Sequence, residues 1–286
     1  MSSIFEEDKI DCHNHVLDPL HFPYAATVAY RPAGQEIGSQ AQHRAVMDAY
    51  GIRHALIVGP NSGYGEDNRC LLDTIARSGG RFKGIAVVPN HTSRERLLEL
   101  KGQGVAGIAF NPSLLGLDYY ADAAPLMRSL AELEMLVQVQ VHQDQMVALA
   151  PMILDSGVHI LVDHCGRPDP ARGLQQAGFQ AVLALARSGR ATVKLSGFQK
   201  LSSEGWPFDG VRPYVEALIE AYSLDNCLWA SDWPFLKAQE RVDVGPLLRW
   251  FEKLLPDAQD RRRLFWDTPC RVLRFPRDVS LLAVSR

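Results

Sequence analysis

Lys9-Ile10-Asp11-Cys12-His13-Asn14-His15 is the stretch from which the fold is read. A β-forming start runs straight into two histidines spaced i and i+2. In an extended strand such residues share one face, about 6–7 Å apart along the chain. His13 and His15 are therefore placed to converge on one metal ion or one oxyanion. The rest of the chain repeats the idea of a short apolar run that closes on polar residues. Strand-like runs follow at His54–Val58, Phe82–Val88, Val105–Phe110, Met135–Val141, His159–Asp163, Ala191–Leu195 and Asn226–Ala230, after a first run at Lys9–His13.

Between these runs lie amphipathic stretches about every 30 residues. They are Gln40–Tyr50, Asp67–Ser78, Ser93–Lys101, Asp122–Glu134, Gln145–Ser156, Phe179–Arg187, Val211–Tyr222 and Asp243–Leu254. Ser93 is suited to cap the third, and glycines follow the first three. Alternation of this kind is the pattern of a parallel α/β barrel, whose strand C-termini carry the chemistry. An open doubly wound sheet gives similar local signals, but no GxGxxG follows the first run. At or just past strand ends stand His13 and His15, Asn111, His142 and His164.

Composition narrows the class. The 286 residues are 47% hydrophobic and 22% charged, enough for one large core. With 30 Lys+Arg against 33 Asp+Glu the net charge is −3, too balanced for a nucleic-acid binder or a polybasic membrane anchor. No apolar run approaches the ~18–20 residues of a membrane span. The acidic start, Glu6-Glu7-Asp8, is unlike a signal peptide, and the five scattered cysteines lack a CxxC pair. These features predict a cytoplasmic protein with reduced thiols, a small-molecule substrate, and no nucleic-acid or membrane partner.

Three further segments point to chemistry. Leu161-Val162-Asp163-His164-Cys165-Gly166-Arg167-Pro168 ends an apolar run on a histidine and then breaks, which puts His164 at the barrel rim. Leu228-Trp229-Ala230-Ser231-Asp232-Trp233-Pro234 closes the last run on a carboxylate that a neighbouring indole would partly desolvate, as a general base or metal ligand requires. In Leu136-Val137-Gln138-Val139-Gln140-Val141-His142, the polar residues alternate with valines, so Gln138, Gln140 and His142 share a face. His54 and His159 stand at strand starts, the structural end of a barrel. His21, His43 and His91 have no partner pattern.

Asp11-x-His13-x-His15, Asp163-His164-x-Gly166-x-Pro168 and Ser231-Asp232-Trp233-Pro234, in that order, resemble the amidohydrolase superfamily. More narrowly they resemble its amidohydrolase-related branch, which includes 2-pyrone-4,6-dicarboxylate lactonase and sugar lactonases. The likeness runs from about Ile10 to Phe275. It extends to Phe22-Pro23-Tyr24, Tyr30-Arg31-Pro32, Asn61-Ser62, Gly65-Glu66-Asp67-Asn68, Lys194-Leu195-Ser196-Gly197 and Trp266-Asp267-Thr268-Pro269. The resemblance implies a distorted (β/α)8 TIM barrel forming a single domain over 1–286, with a core of about 10–275 and a tail 276–286. It implies a hydrolase that opens the lactone of a small carboxylic or sugar acid. Asp232 would activate water while His13, His15 and His164 stabilise the oxyanion, directly or through a metal. Tyr30, Ser62, Asn111, Gln140 and Lys200 would contact substrate.

On cofactors, no His or Lys closes the fourth strand, where many metal-bound members keep a ligand, and this favours a site that requires none. The alternative is a single Zn²⁺ or other divalent ion on His13, His15 and Asp232, with His142 or His164. With it goes the alternative activity of a Zn- or Mn-dependent decarboxylase or hydratase. The chain also departs from the pyrone lactonase pattern. Ala109-Phe110-Asn111-Pro112-Ser113-Leu114-Leu115 lacks two arginines, Gln140 replaces a tyrosine, and Lys200 replaces an arginine. Losing two guanidinium clamps predicts poor binding of the planar dicarboxylate and better turnover of a neutral or monoanionic lactone.

Overall fold

The computed structural model describes residues 3–28, 30–238 and 240–278. Eight strands form one parallel sheet in sequence order. They are β1 (Lys9–Asn14), β2 (Ile52–Val58), β3 (Phe82–Ala86), β4 (Val105–Phe110), β5 (Leu136–Val139), β6 (His159–Val162), β7 (Ala191–Leu195) and β8 (Cys227–Trp229). Helices connect them, the longest being Gln145–Ser156, Arg212–Tyr222 and Val244–Leu254. This is a (β/α)8 barrel, as the alternation predicts. The Ser93 hydroxyl caps its helix by accepting from the Arg96 amide. Most boundaries fall within two residues of expectation; β3 and β5 stop at Ala86 and Val139, short of the expected Val88 and Val141. The tail from 279 onward lies outside the described residues.

Two cores explain why the strands are apolar on both sides. One fills the shell between sheet and helices, with Ile57, Val137, Val139, Ile160, Val162, Val193 and Trp229 among its members. The other lies inside the barrel, with Ile10, Cys12, Leu56, Val58, Ile85, Leu136, Leu161 and Leu228. Trp266, Cys270, Leu273 and Phe275, from the C-terminal helical segment, join the inner core. They meet it beside His54, whose ring stacks on Phe275 at 4.6 Å. The strand-start histidines His54 and His159 thus sit at the structural end, as expected. All five cysteines are buried and unbridged. Among the described residues no helix is long and apolar enough to cross a membrane.

Between Asp11 and Asn14, three steps of β1 face two steps of β2, from Ala55 to Ile57. Such an extra residue re-aims side chains. Ile10 and Cys12 point inward, and the bulge lets His13 and His15 follow them instead of turning out. The seam between β8 and β1 is closed at the same level. The Asp232 amide donates to the His13 carbonyl at 2.9 Å, and the His15 amide donates to the Trp233 carbonyl at 2.8 Å. Below them the Asp11 carboxylate accepts from the Ser231 amide at 2.9 Å and its hydroxyl at 2.5 Å. Burial pushes the Asp11 carboxyl up to about 6.

Candidate active site

A cavity of about 420 Å³ opens at the C-terminal ends of the strands. His13, His15, Asp163, His164, Gln138, Gln140 and Lys200 line it, with Ser62 and Asn111 across the mouth. Asp232 lies just beneath, wholly shielded from solvent. Its Oδ1 stands 4.0 Å from His13 Nε2 and 3.9 Å from His164 Nε2. Those three residues therefore meet at one point, and the His13 ring lies 5.0 Å from that of His15.

The other nitrogen of each imidazole is held from behind. His15 Nδ1 faces the Val58 carbonyl at 2.8 Å, His13 Nδ1 faces Asp163 Oδ1 at 3.2 Å, and His164 Nδ1 faces Ser196 Oγ at 3.0 Å. Burial drives all three pKa values down, so the rings are neutral at pH 7. A carbonyl only accepts, so the His15 proton is on Nδ1 and its Nε2 is a bare lone pair. Of the two expected routes, direct or through a metal, neutral His15 is thereby left the one through a metal, since its Nε2 has no proton to offer an oxyanion. Gly197 makes room for His164. A Cβ there would lie 2.8 Å from the ring, and the residue's φ of +72° favours glycine.

Burial is the largest influence and alone would raise the Asp232 carboxyl, but Lys200 together with the neighbouring His164 and His15 holds the group below the usual carboxylate range. Lys200 Nζ lies 2.6 Å from Asp232 Oδ2, and Gln199 Nε2 donates to the same oxygen at 3.0 Å. Oδ1 has no hydrogen-bond partner among the described residues. Asp232 itself adopts φ +63°, and His164, Cys165, Arg167 and Lys237 are also left-handed. Strained loop conformations of this kind gather at functional sites.

Beneath His13 is a network that motif reading passes over. Lys194, fully buried on β7, reaches Asp163 Oδ1 at 3.0 Å, Gln138 Oε1 at 2.5 Å and His13 Nδ1 at 3.3 Å. Gln138 Nε2 donates to Asp163 Oδ2 at 2.9 Å. Asp163 and Lys194 occur in the quoted motifs, and the inward parity of β6 and β7 was the signal that could have found them. Arg167 and Lys237, from loops, and Gln199, from the short helix Phe198–Leu201, also line the cavity.

Two expected residues fall elsewhere. His142 shares parity with Gln138 and Gln140, but β5 ends at Val139 and the chain turns away at Gln143, whose φ is +48°. His142 neither lines the cavity nor joins a ligand group among the described residues. Tyr30 stands behind the rim, its hydroxyl donating to Glu36 and its ring under Lys237 Nζ at 4.6 Å.

His13, His15 and Asp232 offer ligand atoms within 4.8 Å of one another. The bare Nε2 of His15 and the unpartnered Asp232 Oδ1 are what a cation would satisfy, and Asp163 behind His13 is the usual support of a metal-bound imidazole. The donor set therefore fits one divalent ion, and His142 is not part of it.

The amidohydrolase family model matches residues 10–275. The chain belongs to the amidohydrolase family. Among the relatives of this amidohydrolase, 4-sulfomuconolactone hydrolase of Rhizobium radiobacter is 31% identical over 272 residues, 92% of this chain and 88% of that protein. The 2-pyrone-4,6-dicarboxylate hydrolase of Comamonas testosteroni is 27% identical, covering 94% and 91%. A solved probable 2-pyrone-4,6-dicarboxylic acid hydrolase from Acinetobacter baumannii, with citric acid bound, superposes with a TM-score of 0.84. It is 25% identical, covering 94% of this chain and all of that one.

Proposed function

We propose that this amidohydrolase opens lactones, adding water across the carbonyl of a small cyclic ester. The observation that carries this is the ionised, solvent-shielded Asp232, whose free Oδ1 faces His13 and His164 at hydrogen-bond reach of a shared water. Relatives named as lactone hydrolases over most of their length support the substrate class.

In this mechanism Asp232 Oδ1 takes a proton from water, and the water oxygen attacks the lactone carbonyl carbon. The Lys200 contact keeps Oδ2 occupied and the carboxylate ionised, so Oδ1 is the basic atom. With the Ser196 hydroxyl donating to His164 Nδ1, His164 Nε2–H becomes the donor to the developing oxyanion. The ring C–O bond then breaks, and Asp232 returns its proton to the leaving oxygen to give the open hydroxy acid. His13 and His15 Nε2 with Asp232 Oδ1 would hold a single divalent ion. When bound it would polarise the carbonyl and lower the pKa of water.

The test is a panel of lactones assayed by acid release, with enzyme purified as is, after chelation, and after Zn²⁺ or Mn²⁺ addition, alongside metal content per chain. Ring opening of at least one lactone is expected. Release of CO₂ from aromatic acids with no lactone opened would replace this reading by the decarboxylase alternative.

A further inference from the structure

The charges around the cavity do not cancel. Asp163 is paired with Lys194 at 3.0 Å and Asp232 with Lys200 at 2.6 Å. The three imidazoles are neutral. Lys237 is exposed at the rim, over the Tyr30 ring. Arg167 is left over. It is half-buried, lines the cavity, and has no carboxylate within 4.0 Å among the described residues. Its one side-chain hydrogen bond among the described residues runs from an Nη to Ser113 Oγ at 3.3 Å. That hydroxyl is already occupied, donating to Asn111 Oδ1 at 2.6 Å and accepting from Gln140 Nε2 at 3.1 Å.

The backbone explains why the guanidinium sits there. Arg167 is left-handed, with φ +48°, and its amide donates to the His164 carbonyl at 2.8 Å. A tight turn thus ties it to the imidazole that faces Asp232. Holding an unpaired guanidinium in a desolvated cleft is unfavourable unless an anion completes it. Arginine presents several N–H donors in a planar fork that suits a carboxylate or sulfonate.

We infer that Arg167 is the specificity residue that reads one acidic group, a carboxylate or sulfonate, carried by the lactone. This rests on the lactone-hydrolase reading above. It also relocates the anion site: the fourth-strand side is apolar at Ala109, as expected, and the cation comes from the loop after β6. One fixed guanidinium suits a monoanionic lactone.

The experiment uses three substrates on one ring: a butenolide carrying a carboxymethyl group, its sulfomethyl analogue, and its neutral carboxamide. For the wild type, kcat/KM should favour at least one acid over the amide by about 10- to 100-fold, the range of charge-assisted bonds. Which acid is preferred assigns carboxylate or sulfonate. In Arg167→Met the acid-to-amide ratio should collapse to near one, and Arg167→Lys, with charge but no fork, should give an intermediate ratio. Calorimetric titration with the ring-opened product should lose affinity in Arg167→Met, checked for folding by its melting curve. A wild-type ratio near one, or an unchanged ratio in Arg167→Met, overturns the assignment. If neither acid nor amide nor any other lactone is opened, with or without added metal, the lactone reading itself fails.

Discussion

The Asp232 amide donates to the His13 carbonyl at 2.9 Å, while the Asp232 carboxylate faces the His13 imidazole at 4.0 Å. One pair of residues both closes the barrel seam and sets the site. The reacting groups are therefore positioned by backbone bonds between the first strand and the loop after the last. Such positioning keeps the groups in place without a long, adaptable loop.

Asp232→Asn should separate the two roles. The backbone bond to His13 survives, so the chain should still fold, with a lowered melting temperature because Lys200 loses its buried partner. Turnover should fall by about 10²–10⁴, the range of a lost acid/base group. Wild-type turnover in a folded Asp232→Asn enzyme would remove the carboxylate from the mechanism.

Lys194→Met leaves Asp163 buried with Gln138 and a neutral imidazole but no cation. Breaking a buried pair by deleting one partner typically costs about 3–5 kcal/mol. Lys194→Met with Asp163→Asn should recover a good part of that in denaturant titrations, because the orphaned charge is gone. Additive losses would mean that the two residues act independently.

The fold was legible because parallel strands buried on both faces must be apolar throughout, and eight such runs stood out. His13, His15, His164 and Asp232 were legible because strand ends expose chemistry; the three histidines line one cavity and Asp232 faces His13 and His164 from beneath it. What escaped depends on register and turns. Nothing in Cys12-His13 announces the bulge that turns both histidines inward. Lys194 reads as an ordinary strand lysine until β6–β7 pairing sets it inside the barrel, where it reaches Asp163. His142 misled because alternation continues in the sequence after β5 has ended. Arg167 and Lys237 reach the cavity through left-handed loop residues, for which side-chain periodicity has no rule.

Gly197→Ala tests how tightly His164 is held. The new methyl would lie 2.8 Å from the ring at a φ of +72°. The backbone penalty alone is about 1 kcal/mol. Pushing the imidazole by about 1 Å should lower kcat/KM on the order of 100-fold. Gly189→Ala is the control: its φ is +65°, yet nothing lies within 4 Å of its added methyl. Equal loss of activity in both variants would mean that strain, not displacement of His164, is responsible.

His43 should make the chain sensitive to acid. It is 1% exposed, stacks on Trp233 at 4.8 Å, and neither ring nitrogen has a hydrogen-bond partner among the described residues. Burial pushes its pKa down to about 3, against about 6.5 when unfolded. Between those values the unfolded chain holds the extra proton. The stability from a neutral His43 is therefore complete above pH 6.5 and drains as pH falls toward 3, by on the order of 1.4 kcal/mol per unit. His54, lowered to about 4, acts in the same direction, while Asp11, raised to about 6, opposes both between about pH 4 and 6. His43→Phe keeps the stacking and gives up no hydrogen bond. It should gain on the wild type by about 2 kcal/mol between pH 6.5 and pH 5, and by nothing between pH 6.5 and pH 8. Denaturant titrations of both proteins at pH 5, 6.5 and 8 would decide it: parallel stabilities across the three would show that His43 does not carry the acid sensitivity.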